Sequence, residues 1–461
     1  MSAIPVIAIF DVGKTNKKLF LFDEHYRIVY EKTARFIETV DEDGFPCENI
    51  ESLRLSVFDS LNEVFRLNEF DVKAVNFSAY GASLVHIGED GNPVCPLYNY
   101  LKPYPEEIGK AFYARYGGED KFSLETASPI LGSLNSGLQL YRLKKEKPAI
   151  FKKIKYALHL PQYMSFLLSG RACSDITSIG CHTSLWDFEK GNYHDWVKKE
   201  KLDKKLAPIE PADKVFDPLL PGNNYKIGIG LHDSSAALVP YLKNFHEPFI
   251  LISTGTWCIS LNPFNQFPLT QEELKDDCLC FLQYEGKPVK ASRVFSGYKH
   301  EQQVKRIAKY FNSDEIKYRN IAFDTEIIKK LKYSEDHLNN GLSNIHSEFG
   351  SRDLADFSDD AEAYHQLIAD LVDLQLWSTN LVLKGTNAKR IFVDGGFSKN
   401  NVYMNLLAAA FPEMEVFAAS MAQSTALGAA ITLHESWNSK PMPSNLIELN
   451  YYVSAAYAPS K

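Results

Sequence analysis

The apolar run Val6-Ile-Ala-Ile-Phe10 ends in a carboxylate, Asp11, and that junction narrows what the chain can become. An ionised side chain at the end of a buried strand is costly unless a cation or a charged ligand compensates it. The turn Val12-Gly13-Lys14-Thr15-Asn16-Lys17 follows, and a second apolar run, Leu19-Phe-Leu-Phe22, comes straight after it. Two such runs joined by a Gly/Asn-containing turn predict a β-hairpin. Gly13 lets backbone N–H groups approach a phosphate closely, and Lys14, Thr15 and Lys17 supply further donors. The turn is not a P-loop. That motif needs a glycine where Ala8 stands, and a helix next rather than a strand. Locally, the same residues read equally as a surface hairpin with solvated lysines.

The 461 residues are 45% hydrophobic, enough for two sizeable cores. The net charge of −8 and the acid-punctuated lysine clusters Lys144–Lys147 and Lys198–Lys201 exclude a nucleic-acid stripe. No apolar run has the length of a membrane helix. The N-terminus enters a strand at once, so no signal peptide is expected. Seven cysteines without a CxxC pair read as reduced thiols of a cytoplasmic protein.

Further along, Leu53, Val57, Leu61, Val64 and Phe65 fall on one face of a helix over Ile50 to Leu67. A strand over Val72 to Ser78 leads to Gly81, either a turn glycine or a place where backbone meets a small ligand. Leu84 to Val94 carries a second hairpin signal. Helices are expected at Ser136 to Lys147 and from Pro161, closed by Gly170. In Gly228-Ile-Gly230-Leu231-His232-Asp233-Ser234, Asp233 or Ser234 reads as a helix N-cap, or Asp233 as a general base for a bound hydroxyl. Ala236 and Ala237 leave room beside that helix start.

Pro248 to Leu261 repeats the first hairpin's logic around Ser253-Thr254-Gly255-Thr256, which predicts a second, similarly built domain. The expected division is 1–245 and 246–461. Tyr333 to Asp360 reads as a loop-rich, acidic stretch without legible chemistry. A long helix over Ala361 to Leu383 precedes the strand Arg390–Val393. Asp394-Gly395-Gly396 then leads to a helix near Asn401, a nucleotide-cradling arrangement. Ala422 to Ala430 is a helix poor in bulky side chains, suited to close packing.

The order of these parts is more specific than any one of them. An Asp-ended phosphate hairpin, a mid-chain Gly-x-Gly-x-His-Asp, a Thr-Gly-Thr hairpin and a late Asp-Gly-Gly before a helix resemble the FGGY carbohydrate kinases over nearly the whole chain. His232-Asp233-Ser234 with Ser253-Thr254-Gly255-Thr256-Trp257 looks most like the L-rhamnulokinase branch. The resemblance implies an α/β fold of two actin/Hsp70-like (ribonuclease H-like) ATPase domains with a cleft between them. The N-terminal domain would carry the sugar, the first phosphate loop and the base; the C-terminal domain would carry the nucleotide.

It further implies ATP and Mg²⁺ as cofactors and transfer of the γ-phosphate to a primary hydroxyl of a small ketose. Asp11 would hold the metal. Gly13, Lys14, Thr15, Asn16 and Lys17 would face the phosphates, and Thr254, Gly255 and Thr256 would form the second phosphate loop. Gly395 and Gly396 would pack against the adenosine, with Gln302 reaching the nucleotide. Gly81, His232 and Ser234 would contact the sugar, and Asp233 would be the catalytic base. A sugar is the implied partner, with neither nucleic acid nor membrane, and a homodimer is compatible with the family.

Three departures touch the sugar side. Ser83 stands where relatives usually have an acid. Tyr98-Asn99-Tyr100-Leu101-Lys102 replaces the usual Trp-x-Asp/Asn-x-Arg segment, and the signature around Gly297-Tyr298-Lys299 is poorly kept. Two alternatives remain at this level: a xylulose-, ribulose- or glycerol-type kinase of the same family, and a non-catalytic actin-like or Hsp70-like ATP switch.

Overall fold

The computed structural model describes residues 3–14, 16–35, 37–220, 222, 224–331, 348–421 and 423–453. Thr15 and most of the acidic stretch, 332–347, lie outside the described residues. The chain forms two compact units. The first comprises Met1–Asn244, Cys280–Pro288 and Ala422–Leu446; the second comprises Phe245–Leu279, Val289–Met421 and Ile447–Lys461.

In the first unit β1 (Ile4–Val12), β2 (Asn16–Asp23) and β3 (Ile28–Arg35) form an antiparallel ribbon. The expected hairpin therefore exists, and the Gly13 amide closes it on the Asn16 carbonyl at 3.0 Å. On its other side β1 pairs in parallel with Phe70–Ala79, which pairs in parallel with Lys226–Gly228 and Leu231–His232. Helices cover both faces of these central strands. That is why β1 reads as a nearly unbroken apolar run rather than an alternating one.

α1 (Ile50–Arg66) follows β3. It starts where the Asn49 side chain accepts the Ser52 amide at 2.9 Å, and it buries Leu53, Val57, Leu61 and Val64. The helix Leu160–Ser169 has Pro161 in its first turn and a left-handed Gly170 after its end. The small-residue helix Ser424–Thr432 packs on β1 and on the helix Asp233–Asn244. A Cβ on Gly428 would collide with the Ala236 carbonyl, so only glycine permits this backbone-to-backbone approach.

The Leu84–Val94 turn closes locally as expected: the Val94 amide donates to the His86 carbonyl at 2.9 Å and the Gly88 amide to the Asn92 carbonyl at 2.8 Å. The strand Leu84–Ile87 meets this local arm at an Ile87–Pro93 bridge and also pairs along its length with Tyr156–His159, distant in sequence.

The second unit repeats the plan in a seven-stranded sheet. Phe249–Thr254 and Cys258–Asn262 form the second hairpin, and Pro288–Val294 adds a third antiparallel strand. Arg390–Gly395 and then Glu415–Ser420 continue in parallel beside Phe249–Thr254. The helix Asp360–Leu383, capped by Asp359 on the Glu362 amide, runs through the core of this unit. Three antiparallel strands followed by parallel ones, built twice, are the actin/Hsp70-like arrangement. Among the described residues no helix is long and apolar enough to cross a membrane.

Candidate active site

In the first unit, the ends of three neighbouring strands bring the polar residues together. Asp11 stands near the end of β1, in register with Ser78 on one side and Lys18 on the other. Its Oδ2 accepts the Thr425 hydroxyl at 2.8 Å. Burial, with Asp233's charge adding to it, pushes Asp11 up to about 6, against the lowering effect of Thr425. A carboxylate so placed is one that a cation would stabilise, which fits the metal role expected of it.

Leu231–His232 ends on Asp233, the first residue of its helix. The Asp233 Oδ1 accepts the amide of Ser234 at 2.6 Å and its hydroxyl at 3.3 Å. A helix N-cap accepts instead from amides two or three residues on. Asp233 is thus not tied up as a conventional cap. Its side chain keeps 33% of its surface, yet dense surroundings push its carboxyl up to about 6. The His232 Nδ1 lies 3.4 Å from Asp233 Oδ1 and accepts the Ser234 amide at 3.2 Å. Burial lowers His232 to about 4, so at neutral pH this is a neutral imidazole beside a carboxylate. The strand end is fixed from below: the His232 amide donates to the Thr177 hydroxyl at 2.9 Å, and that hydroxyl donates to buried Asp175.

Gly81 lies against this group. A Cβ there would collide with the His232 imidazole, so the glycine makes room for the ring. Asp11, Gly81, His232, Asp233 and Ser234 all gather in the first unit.

The first hairpin turn is placed less simply. The Lys14 ammonium pairs with Glu48, lies 3.4 Å from Asn99 Oδ1 and sits 4.7 Å from the Tyr100 ring centroid. Lys17 is buried, and burial draws its ammonium below the usual lysine value. Asn16 is exposed in the turn. Lys102, at the segment that departs from the family, pairs with Asp41 at 2.5 Å and Asp43 at 2.6 Å. That lysine braces the framework.

The second unit holds a cavity of about 690 Å³. Thr254 and Gly255 from the hairpin line it, as does Gly396. The loops interlock: the Gly396 amide donates to the Thr254 carbonyl at 3.0 Å, and the Phe397 amide to the Thr254 hydroxyl at 3.0 Å. Gly395 has φ +91°, and a Cβ there would collide with the Thr254 carbonyl. Gly297 is needed in the same way against Gly255. Thr256 accepts the Tyr298 amide at 3.1 Å, which holds the far side of the hairpin.

Gln302 is exposed and lies off the cavity, whereas its helix neighbours His300, Glu301 and Val304 line it. Sequence reasoning also missed the cavity's polar wall. His300 Nε2 lies 3.1 Å from the Tyr364 hydroxyl, which accepts the Asn400 side-chain amide at 2.7 Å. Tyr318 stacks on Tyr364 with centroids 5.0 Å apart. The only local signal was Asn400, whose side chain caps the helix Asn401–Ala410.

Known proteins agree with this duplicated plan. The N-terminal domain of the FGGY family of carbohydrate kinases matches residues 6–239, and the C-terminal FGGY domain matches 246–441. The chain belongs to the FGGY family of carbohydrate kinases. A rhamnulokinase of Halalkalibacterium halodurans is 24% identical over 273 residues, 56% of each chain. A rhamnulokinase of Oceanobacillus iheyensis is 20% identical over 282 residues, 58% of this chain and 57% of that one. The match thus spans little more than half the length of these relatives.

Among solved structures, a carbohydrate kinase from Novosphingobium aromaticivorans superposes with a TM-score of 0.77 at 22% identity, covering 98% of this chain and 94% of that one. Plasmodium falciparum glycerol kinase with ADP gives 0.73 at 15% identity, covering 95% and 90%. These likenesses establish the fold.

Proposed function

We propose that this chain is an ATP-dependent kinase of a small ketose of the L-rhamnulose or L-fuculose type, phosphorylating a primary hydroxyl. The observation that carries this reading is Asp233: a carboxylate at a helix start, spared from capping, raised to about 6, and flanked by a neutral imidazole. A base of that pKa is ionised at neutral pH and still takes a proton from an alcohol as phosphoryl transfer proceeds. The rhamnulokinase relatives and the His232-Asp233-Ser234 sequence favour the 6-deoxy ketoses.

In this reading Gly81 and His232 shape the sugar side and Asp233 orients and deprotonates the attacking hydroxyl. Thr254, Gly255 and Gly396 form the nucleotide side at the second unit's cavity. Asp11 would hold Mg²⁺, whose charge neutralises the phosphates when bound. Steady-state kcat/KM across L-rhamnulose, L-fuculose, xylulose, ribulose and glycerol tests the substrate class. The 6-deoxy ketoses are expected to lead, and a clear preference for glycerol would overturn that assignment.

Two variants follow from the geometry. Asp11→Asn keeps the Thr425 contact but removes the charge, so turnover at ordinary Mg²⁺ should fall severely. A near-normal rate would move the metal role elsewhere, for instance to Asp394. Gly81→Ala must displace the His232 ring, and misplacement of this order costs about 10²-fold in kcat/KM for the sugar. Affinity for ATP, measured by titration, should stay as it was. Unchanged sugar kinetics would remove Gly81 and His232 from the sugar side.

A further inference from the structure

We propose that Cys181, His182 and His232 form a binding site for a zinc-class divalent cation, distinct from the Mg²⁺ role of Asp11. One donor atom from each lies within 4.8 Å of the others. A tetrahedral zinc ion with one sulfur and two nitrogen ligands needs donors roughly 3.5 Å apart, so closing the site takes movements of about 1 Å. A thiol and two imidazoles select zinc-class ions over Mg²⁺, which prefers oxygen.

The His182 donor is already oriented. His182 Nδ1 lies 3.3 Å from the Leu134 carbonyl. A carbonyl only accepts, so Nδ1 carries the ring proton and Nε2 the lone pair a metal needs. This is the backing that metal-ligating histidines usually have. The supporting loop is held in an unusual shape. His182 and Ser184 take φ of +40° and +62°, the left-handed region that favours glycine. The Asn135 side chain donates to the His182 carbonyl at 2.8 Å, and the Gly137 amide donates to the Thr183 carbonyl at 2.9 Å.

His232 lies edge-on to His182, with ring centroids 6.4 Å apart. A cation on the His232 Nε2 moves the ring proton from Nε2 to Nδ1, which gives up the Ser234 amide it accepts in the metal-free chain and faces the Asp233 carboxylate 3.4 Å away. Binding also releases the Cys181 thiol proton to solvent. The occupied site would draw Asp233 into a carboxylate–histidine–metal arrangement.

Cobalt(II) reports the ligand set directly, without reference to kinase activity. Titrating the reduced full-length chain should give one equivalent that shows thiolate-to-cobalt charge transfer and the intense visible bands of four-coordinate cobalt, and Zn²⁺ should displace it. Cys181→Ser should abolish the charge-transfer band. His182→Ala should weaken cobalt binding by at least the roughly 10-fold that loss of even a supporting partner costs. Circular dichroism confirms that each variant is folded. The wild type decides the matter by itself if a variant fails to fold: no thiolate charge transfer at one equivalent of cobalt overturns the site. An identical spectrum in folded Cys181→Ser does the same.

Discussion

Asp233→Asn is expected to lower kcat by about 10²- to 10⁴-fold, the usual worth of a positioned base. Asparagine keeps the shape and still accepts the Ser234 amide, but it takes no proton from the acceptor hydroxyl. ATP affinity should hold, because the cavity residues of the second unit are untouched. Stability should move the other way. Asp233 ionises at about 6 in the folded chain against an ordinary 3.8, so the folded state binds its proton more tightly than the unfolded state does. Its ionisation therefore costs stability as pH rises from about 4 to 6, and that cost persists above. The neutral amide escapes it, so Asp233→Asn should melt higher than wild type at pH 8 and converge on it near pH 4. In the wild type, kcat/KM should fall as pH drops below about 6. A simple cap would leave rate and melting temperature together near wild type, since asparagine caps as well as aspartate.

Gly395→Ala should be the most damaging single methyl in the second unit. The position has φ +91°, and the added Cβ would run into the Thr254 carbonyl. Backbone strain and overpacking together should cost about 2 to 6 kcal/mol. The strand end carrying Thr254 and Gly255 must shift, so ATP affinity should drop by about 10²-fold or more. Gly396→Ala is the matched control: no atom lies within 4 Å of a Cβ there. It should fold normally and change only nucleotide affinity. Equal melting temperatures and equal ATP affinities for the two variants would contradict the interlocked-loop description.

What the sequence revealed and what it hid divide along one physical line. Both hairpins were legible because strand period and turn residues are local: Val6–Asp11 with Gly13, and Phe249–Thr254 with Gly255. The helices carrying Leu53 and Pro161 were legible for the same reason. The small-residue helix around Gly428 announced close packing, but not that its partner would be the Asp233 helix. The pairing of Leu84–Ile87 with Tyr156–His159 was hidden, because nothing local encodes a long-range ladder. Lys14 looked like a phosphate donor, yet Glu48 and Tyr100 engage it from elsewhere in the chain. The cavity wall of His300, Tyr318, Tyr364 and Asn400 draws on separate elements and carries no shared motif. Cys181 and His182 likewise gain meaning only when the fold brings His232 to them.

The central claim is that one chain couples ATP cleavage to a sugar acceptor through Asp233. ADP release and sugar phosphate should be measured together, with and without a 6-deoxy ketose, for wild type and Asp233→Asn. The predicted result is ADP release that needs the sugar, matches sugar phosphate one for one, and is lost in Asp233→Asn. ATP turnover indifferent to every ketose, or full sugar-dependent turnover in Asp233→Asn, would contradict it.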